Sequence, residues 1–279
     1  MKNKKPIIAI MYDFDNTLCT KDMQEYTFIP SLGESPEEFW NETKRIAESE
    51  GMDQVLTYMY LMLRQSQEHN NPITRELLKK CGIGIKLYPG VKGWFERINQ
   101  YGEEHGVQIE HYIISSGLKE IIEGSSICDR FKKIYACEFH YDQNGIADWP
   151  KVAVNYTNKT QFLFRINKGI FNIGDERSVN IYVPEDQRRV PFRNMIYIGD
   201  GMTDVPCMKL VNVYGGQSIA VYHKKMDTVR QLLAENRANF IAPANYNEGK
   251  ELDRLVKDII IKMASIDKLV KKSLQQHNI

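Results

Sequence analysis

Two aspartates one residue apart, Asp13 and Asp15, close the apolar run Ile7-Ile8-Ala9-Ile10-Met11. A short apolar run before a turn reads as a fully buried strand. Side chains two apart on a strand share a face, and two ionised carboxylates that close repel unless a cation or a proton intervenes. The pair suits a metal-dependent site in which one carboxylate is a nucleophile and the other an acid/base. A capped strand end, with Asp and Asn merely making a turn, is the alternative. A second apolar run, Met195-Ile196-Tyr197-Ile198, ends in Gly199-Asp200-Gly201-Met202-Thr203-Asp204, where two acids flank a turn tightened by glycine. A third, Glu110 to Ile114, runs into Ser115-Ser116-Gly117 and is predicted to start a helix carrying Leu118, Ile121 and Ile122. There a hydroxyl and backbone N–H groups would meet an anion, although serine also serves as a plain helix cap. Lys159 opens a helix with Phe162, Leu163 and Ile166, a place where the helix dipole disfavours a cation. A surface lysine is the competing reading.

These residues need elements that bring them together. Strands alternating with helices imply an α/β fold with a doubly wound parallel sheet. Such sheets bind ligands at the carboxyl ends of their strands, where Asp13, Asp15, Ser115, Asp200 and Asp204 would converge. Further strands are predicted at Ser218–Val221 and Phe240–Ala242. The stretch from Met23 to about Ile85 reads as purely helical. Ser35-Pro36-Glu37-Glu38 is a capping-box start, Asp53 caps a second helix, Asn70-Asn71-Pro72 stops it, and Thr74 begins a third. The expected organisation is a core of residues 1–20 and 86–279 with a helical cap inserted at 21–85. Tyr141-Asp142-Gln143-Asn144-Gly145 reads as a hairpin turn. Ile173-Gly174-Asp175-Glu176 imitates a strand-to-acid motif, but it lies in a stretch, Gly169 to Arg193, that reads as a loop or extended insertion. The last helix, Lys250 to Leu274, carries an amphipathic stripe at Leu252, Leu255, Ile259, Ile260 and Met263.

Composition excludes several classes. A formal net charge of +1 gives no electrostatic case for nucleic acid or an anionic membrane. Basic residues gather at the tips (Lys2, Lys4, Lys5; Lys268, Lys271, Lys272), as solvated ends do. Five cysteines, an odd number without CxxC spacing, argue against a zinc ribbon or a disulfide framework and for free thiols in a reducing compartment. The first apolar run is too short for a signal peptide or a membrane span, so a cytoplasmic location is expected.

The chain resembles the haloacid-dehalogenase-like phosphatases, and within them the phosphoserine-phosphatase-like members with a helical cap. Asp13-Phe14-Asp15-Asn16-Thr17 matches the first motif, Ser115 the second, Lys159 the third and Gly199-Asp200-Gly201-Met202-Thr203-Asp204 the fourth. The resemblance implies hydrolysis of a small phosphomonoester through an aspartyl phosphate, with Asp13 as nucleophile and Asp15 as general acid and base. It implies Mg2+ held by Asp13, the Asp15 backbone carbonyl and Asp200, with Asp204 as a ligand or just behind. Asn16, Thr17, Ser115, Ser116, Gly117 and Lys159 would bind phosphoryl oxygens, and Thr17 would also orient Asp15. Asp22, Tyr58 and Arg64 are candidates for reading the leaving group, which is expected to meet an apolar, tyrosine-containing cap. Asp15 favours phosphate esters over halides, since a halide leaves without a proton. Phosphoserine is an alternative substrate; dehalogenase, phosphomutase and non-catalytic phosphate-binding readings are further ones.

Overall fold

The computed structural model describes residues 5–224 and 226–277; Lys2 and Lys4 lie outside the described residues. The strands are β1 (Ile7–Tyr12), β2 (Gln108–Leu118), β3 (Lys133–Tyr141), β4 (Ala147–Val152), β5 (Met195–Gly199), β6 (Gln217–Tyr222) and β7 (Phe240–Pro243). They form one sheet of order β4-β3-β2-β1-β5-β6-β7. Every pairing is parallel except β3–β4, the hairpin foreseen at Tyr141–Gly145. β1 is central and buried along its whole length, as a strand covered on both faces must be. The chain builds outward from β1 to β2 and β3, then returns to its other side for β5, β6 and β7. The carboxyl end of β1 is therefore the switch point at which such sheets bind ligands.

The helices are α1 (Phe28–Ser31), α2 (Pro36–Glu50), α3 (Gln54–Glu68), α4 (Arg75–Ile83), α5 (Val91–Glu104), α6 (Lys119–Glu123), α7 (Lys159–Lys168), α8 (Glu176–Asn180), α9 (Val205–Val213), α10 (Asp227–Ala234) and α11 (Glu251–His277). Their starts follow local chemistry. Ser35 and Glu38 close a reciprocal capping box on α2. Asp53 accepts from the Val55 and Leu56 N–H groups at the start of α3, and Thr74 from Leu77 N–H at α4. The segment from Met23 to Ile83 contains no named strand. Its two connections to the sheet run side by side: Thr20 N–H donates to the Lys86 carbonyl at 3.0 Å, and Tyr88 N–H to the Leu18 carbonyl at 2.9 Å. No helix among the described residues is long and apolar enough to cross a membrane. All five cysteines are unbridged thiols.

One expectation requires correction. The helix expected after Ser115-Ser116-Gly117 is present with Ile121 and Ile122, but it begins only at Lys119, with Leu118 as its N-cap. β2 continues to Leu118 with an irregularity after Ile114, and α6 behind it has a single turn and a half of helix. The Ser-Ser-Gly stretch is thus an irregular strand end, and a helix dipole contributes little there. The Gly169–Arg193 stretch is ordered locally by a buried cation. Arg165 Nη1 donates to the Asn172 carbonyl at 2.7 Å and Nη2 to the Ile173 carbonyl at 2.8 Å. Asp175 caps the short α8 through Ser178 N–H, so the imitation motif has a structural task away from the strand ends.

Beneath the sheet end lies a polar chain inside an apolar core. Trp94 Nε1 donates to Tyr12 Oη at 2.8 Å, Tyr12 Oη lies 3.0 Å from His111 Nδ1, and His111 Nε2 lies 3.0 Å from Asn99 Oδ1. Tyr12 already accepts from Trp94, so its own proton goes to Nδ1, and His111 is the neutral Nε2–H tautomer donating to Asn99. Burial pushes the His111 imidazole down to about 3, which keeps it neutral.

Candidate active site

The β1–β5 ladder extends one step beyond β1: Asp13 N–H donates to the Ile198 carbonyl at 2.9 Å. That bond sets Asp13 beside the Gly199–Asp204 turn. Ligand atoms of Asp13, Asp200 and Asp204 all lie within 4.8 Å of one another. Lys159, at the first position of α7 and fully buried, projects between them. Its Nζ donates to Asp13 Oδ1 at 3.1 Å and to Asp204 Oδ1 at 2.8 Å. Tyr197 Oη also donates to Asp204 Oδ1, at 2.8 Å. A side chain at Gly199 would overlap the Asp204 carboxylate, so only glycine fits there. The lysine that opposes its own helix dipole is held by two acids.

Burial dominates the electrostatics. It raises the Asp13 carboxyl to about 7, with Lys159 opposing and Asp204 reinforcing the shift. Asp200 is pushed well above the carboxylate range by burial, then by Asp204 and Asp13. For Lys159 burial works against the charge, but Asp13 and Asp204 outweigh it and raise its pKa. Three carboxylates against one ammonium leave two negative charges in a buried space. Hard oxygen donors with that surplus fit a divalent cation such as Mg2+. Asp13 and Asp200 line the open cleft, whereas Asp204 is wholly buried with Oδ1 committed to Lys159 and Tyr197.

Asp15 is held separately. Its Oδ1 accepts from Met23 N–H at 2.8 Å and lies 3.5 Å from the Cys19 thiol. Leu118 N–H donates to Met23 Sδ at 3.1 Å, so Met23 wedges between the ends of β1 and β2. A Cβ at Gly117 would overlap Met23 Cε and stand 2.9 Å from Asp15 Oδ2. Burial raises the Asp15 pKa well above its usual value, and Asp22 and Asp13 add to the effect. A carboxyl kept protonated until it is needed is what a general acid requires.

These groups open into a cleft of about 530 Å³. Its lining includes Asp13, Asp15, Asn16, Asp200 and Lys159, together with Ser115, Ser116 and Gly117. Asn16 takes a positive φ of 55° and donates from Nδ2 to Asp22 Oδ1 at 2.9 Å. Asp22 and Tyr58 also line the cleft, and Tyr58 Oη donates to the Ser116 carbonyl at 2.7 Å. Two expected residues fall elsewhere. Thr17 is fully buried and its hydroxyl faces Asp200 Oδ1 at 3.4 Å, so it braces Asp200 rather than Asp15 or a phosphate. Arg64 lies outside the cleft, paired with Glu42 and Glu68, because its helical position points it along the outer face of α3. Sequence reading missed Gln24, Trp40, Lys44 and Gln54, which make the helical wall more polar than expected. Trp40 carried a signal, as an aromatic residue beside the buried Phe39–Thr43–Ile46 stripe of α2 rather than within it.

A family model described as haloacid dehalogenase-like hydrolase matches residues 10–209. An uncharacterized protein of Borreliella burgdorferi is 30% identical, with 90% of this chain and 96% of that protein covered. The structure of a HAD family hydrolase from Salmonella enterica serovar Typhi superposes with a TM-score of 0.59 at 16% identity, covering 91% of this chain and 71% of that one. A substrate-bound phosphoserine phosphatase superposes with a TM-score of 0.55 at 13% identity, covering 91% of this chain and 99% of that one. At these identities the solved structures speak to the fold.

Proposed function

The chain belongs to the haloacid dehalogenase-like hydrolase family, and from that premise we propose that it is a Mg2+-dependent phosphomonoesterase working through an aspartyl phosphate on Asp13. The observation that carries this reading is the pairing of differently prepared carboxylates at one strand end. Asp13 is bound to Lys159, while Asp15 is half-buried, bonded to Met23 N–H and biased toward protonation.

Lys159 occupies Asp13 Oδ1 and leaves Oδ2 to attack phosphorus in line. The Asp13–phosphorus bond forms as the ester oxygen departs, and Asp15 donates its proton to that oxygen. Asp15, now ionised, takes a proton from water as the water attacks phosphorus, and the Asp13 carboxylate is released with inorganic phosphate. Ser115, whose Oγ accepts from Gly117 N–H at 3.0 Å, and Lys159 line the cleft where the transferring oxygens would sit. Asp13 and Asp200 would hold Mg2+, which when bound would supply the positive charge that lets an anionic nucleophile meet an anionic phosphate. Asp204 keeps Lys159 charged and in place. Residues 21–85 act as the cap that covers the leaving group, and Asp15 sets the chemistry apart from dehalogenation.

The test is hydrolysis of an aryl phosphate with and without Mg2+. Activity should require the cation and vanish in Asp13→Asn; turnover that survives this substitution removes the mechanism.

A further inference from the structure

We propose that Tyr58 is a positioning residue for phosphate binding: through the Ser116 carbonyl it leaves the Ser115 proton free for a phosphoryl oxygen, and its own hydroxyl takes no part in reading the leaving group. The proposal rests on the phosphatase reading above and concerns how the end of β2 is held.

The end of β2 departs from the ladder. Ile114 pairs with Tyr135 and Leu118 with Cys137, so Ser115, Ser116 and Gly117 stand opposite Ala136 alone. Such a bulge takes backbone groups out of the ladder, and those groups need other partners. The Ser116 carbonyl has two. Tyr58 Oη donates to it at 2.7 Å from α3, and Cys137 Sγ at 3.2 Å from β3. Both stay donors: burial holds the Tyr58 phenol well above its usual pKa and pushes the Cys137 thiol up to about 11. Val154 N–H donates to the same sulfur at 3.2 Å, which leaves the thiol proton for Ser116. A carbonyl oxygen has two lone pairs, and these two donors fill it.

The consequence lies in the same peptide unit. The Ser116–Gly117 bond is trans, and in a planar trans peptide the C=O and N–H point in opposite directions. Fixing the carbonyl toward Tyr58 and Cys137 therefore fixes the Gly117 N–H on the other side, where it donates to Ser115 Oγ at 3.0 Å. A hydroxyl has one proton and two lone pairs. With one lone pair taken by Gly117, the Ser115 proton is left for an acceptor in the cleft, whose wall Ser115 shares with Lys159. A phosphoryl oxygen is an anionic acceptor of the kind that strengthens such a bond. Tyr58 is buried on a helix of the segment that covers the cleft, so a residue on the leaving-group side acts on the phosphate end. Its hydroxyl proton, committed to Ser116, is not available to the leaving group.

The experiment titrates the Mg2+-loaded protein with inorganic phosphate by calorimetry and compares kcat/KM for 4-nitrophenyl phosphate, 2-hydroxyethyl phosphate and O-phosphoserine. Tyr58→Phe keeps the ring and removes only the hydroxyl. It should weaken phosphate binding by about threefold to tenfold, the worth of one hydrogen bond, and lower kcat/KM for every ester by a common factor. Cys137→Ala should act in the same direction, and Cys137→Ser should recover most of the affinity. In a Ser115→Ala background Tyr58→Phe should change phosphate affinity by less than about twofold, because the two substitutions remove one and the same effect. Unchanged phosphate affinity in Tyr58→Phe, an altered preference among the esters, or losses that add in the double variant would each overturn the proposal. A wild type that binds phosphate but turns over no ester overturns the phosphatase reading alone, since the titrations still decide the role of Tyr58; a wild type that binds no phosphate overturns both.

Discussion

Replacing Lys159 with methionine removes the cation that Asp13 and Asp204 share, with little change in side-chain length. The two ion pairs are 3.1 Å and 2.8 Å long, and the lysine and Asp204 are fully buried. Breaking a buried pair by deleting one partner costs about 3–5 kcal/mol. The carboxylates left behind have ligand atoms within 4.8 Å, where like charges repel by about 3 kcal/mol at an effective dielectric near 20. One of the two will therefore take a proton at neutral pH, and its pKa in the folded variant will lie far above the value in the unfolded chain. A folded state holding a proton that the unfolded chain has lost is destabilised as pH rises and restored as pH falls, by about 1.4 kcal/mol per pH unit for one proton. Urea unfolding of wild type and variant, with chelator, should show a penalty of about 3–5 kcal/mol at pH 8 that shrinks by about 1–3 kcal/mol at pH 6. A penalty below about 1 kcal/mol, or one equal at both pH values, would refute the claim that Lys159 exists to neutralise buried acid.

Three further outcomes follow from other parts of the molecule. Gly117→Ala drives a Cβ into Met23 Cε and toward Asp15 Oδ2, so kcat should fall by about tenfold to a hundredfold with KM little changed; unchanged kcat would show that Asp15 is not positioned there. His111, neutral with its pKa down near 3 from burial, must gain a proton on unfolding below the ordinary value of 6.5. Its contribution is complete above that pH and declines as pH falls, so the gap in stability between wild type and His111→Gln should narrow by about 1 kcal/mol from pH 6.5 to 5.5; a constant gap in chemical denaturation would contradict the neutral assignment. Asp13 in the metal-free protein is raised to about 7 by burial, so Mg2+ must displace a proton to bind its carboxylate. Calorimetry should show proton release and an affinity that falls by up to about tenfold per pH unit below pH 7, and an affinity flat from pH 5.5 to 7.5 would count against Asp13 as a ligand.

The central strands were readable because each is a short apolar run cut off by polar residues, and a strand buried on both faces has no other pattern. The motif carboxylates were readable because two acids at a strand end are hard to justify without a site. Lys159 was readable as an anomaly, a cation at the wrong end of a helix, and Asp204 supplies its reason. The position of Ser115–Gly117 was harder, since the irregular end of β2 and the short α6 leave no periodic signal. Thr17 and Arg64 went astray because side-chain direction within a turn or around a helix is fixed by packing rather than spacing. Gln24 and Lys44 carry no local mark at all; they become part of the site only when the segment from Met23 to Ile83 folds back over the strand ends.

The central claim is that Asp13 becomes covalently phosphorylated. Acid quenching of the protein with a phosphate-labelled aryl phosphate during turnover, followed by peptide mass spectrometry, tests it most directly. Label confined to Asp13, and absent from Asp13→Asn, is the predicted result. Steady hydrolysis with label on another residue, or with no protein-bound label under conditions that preserve acyl phosphates, would contradict it.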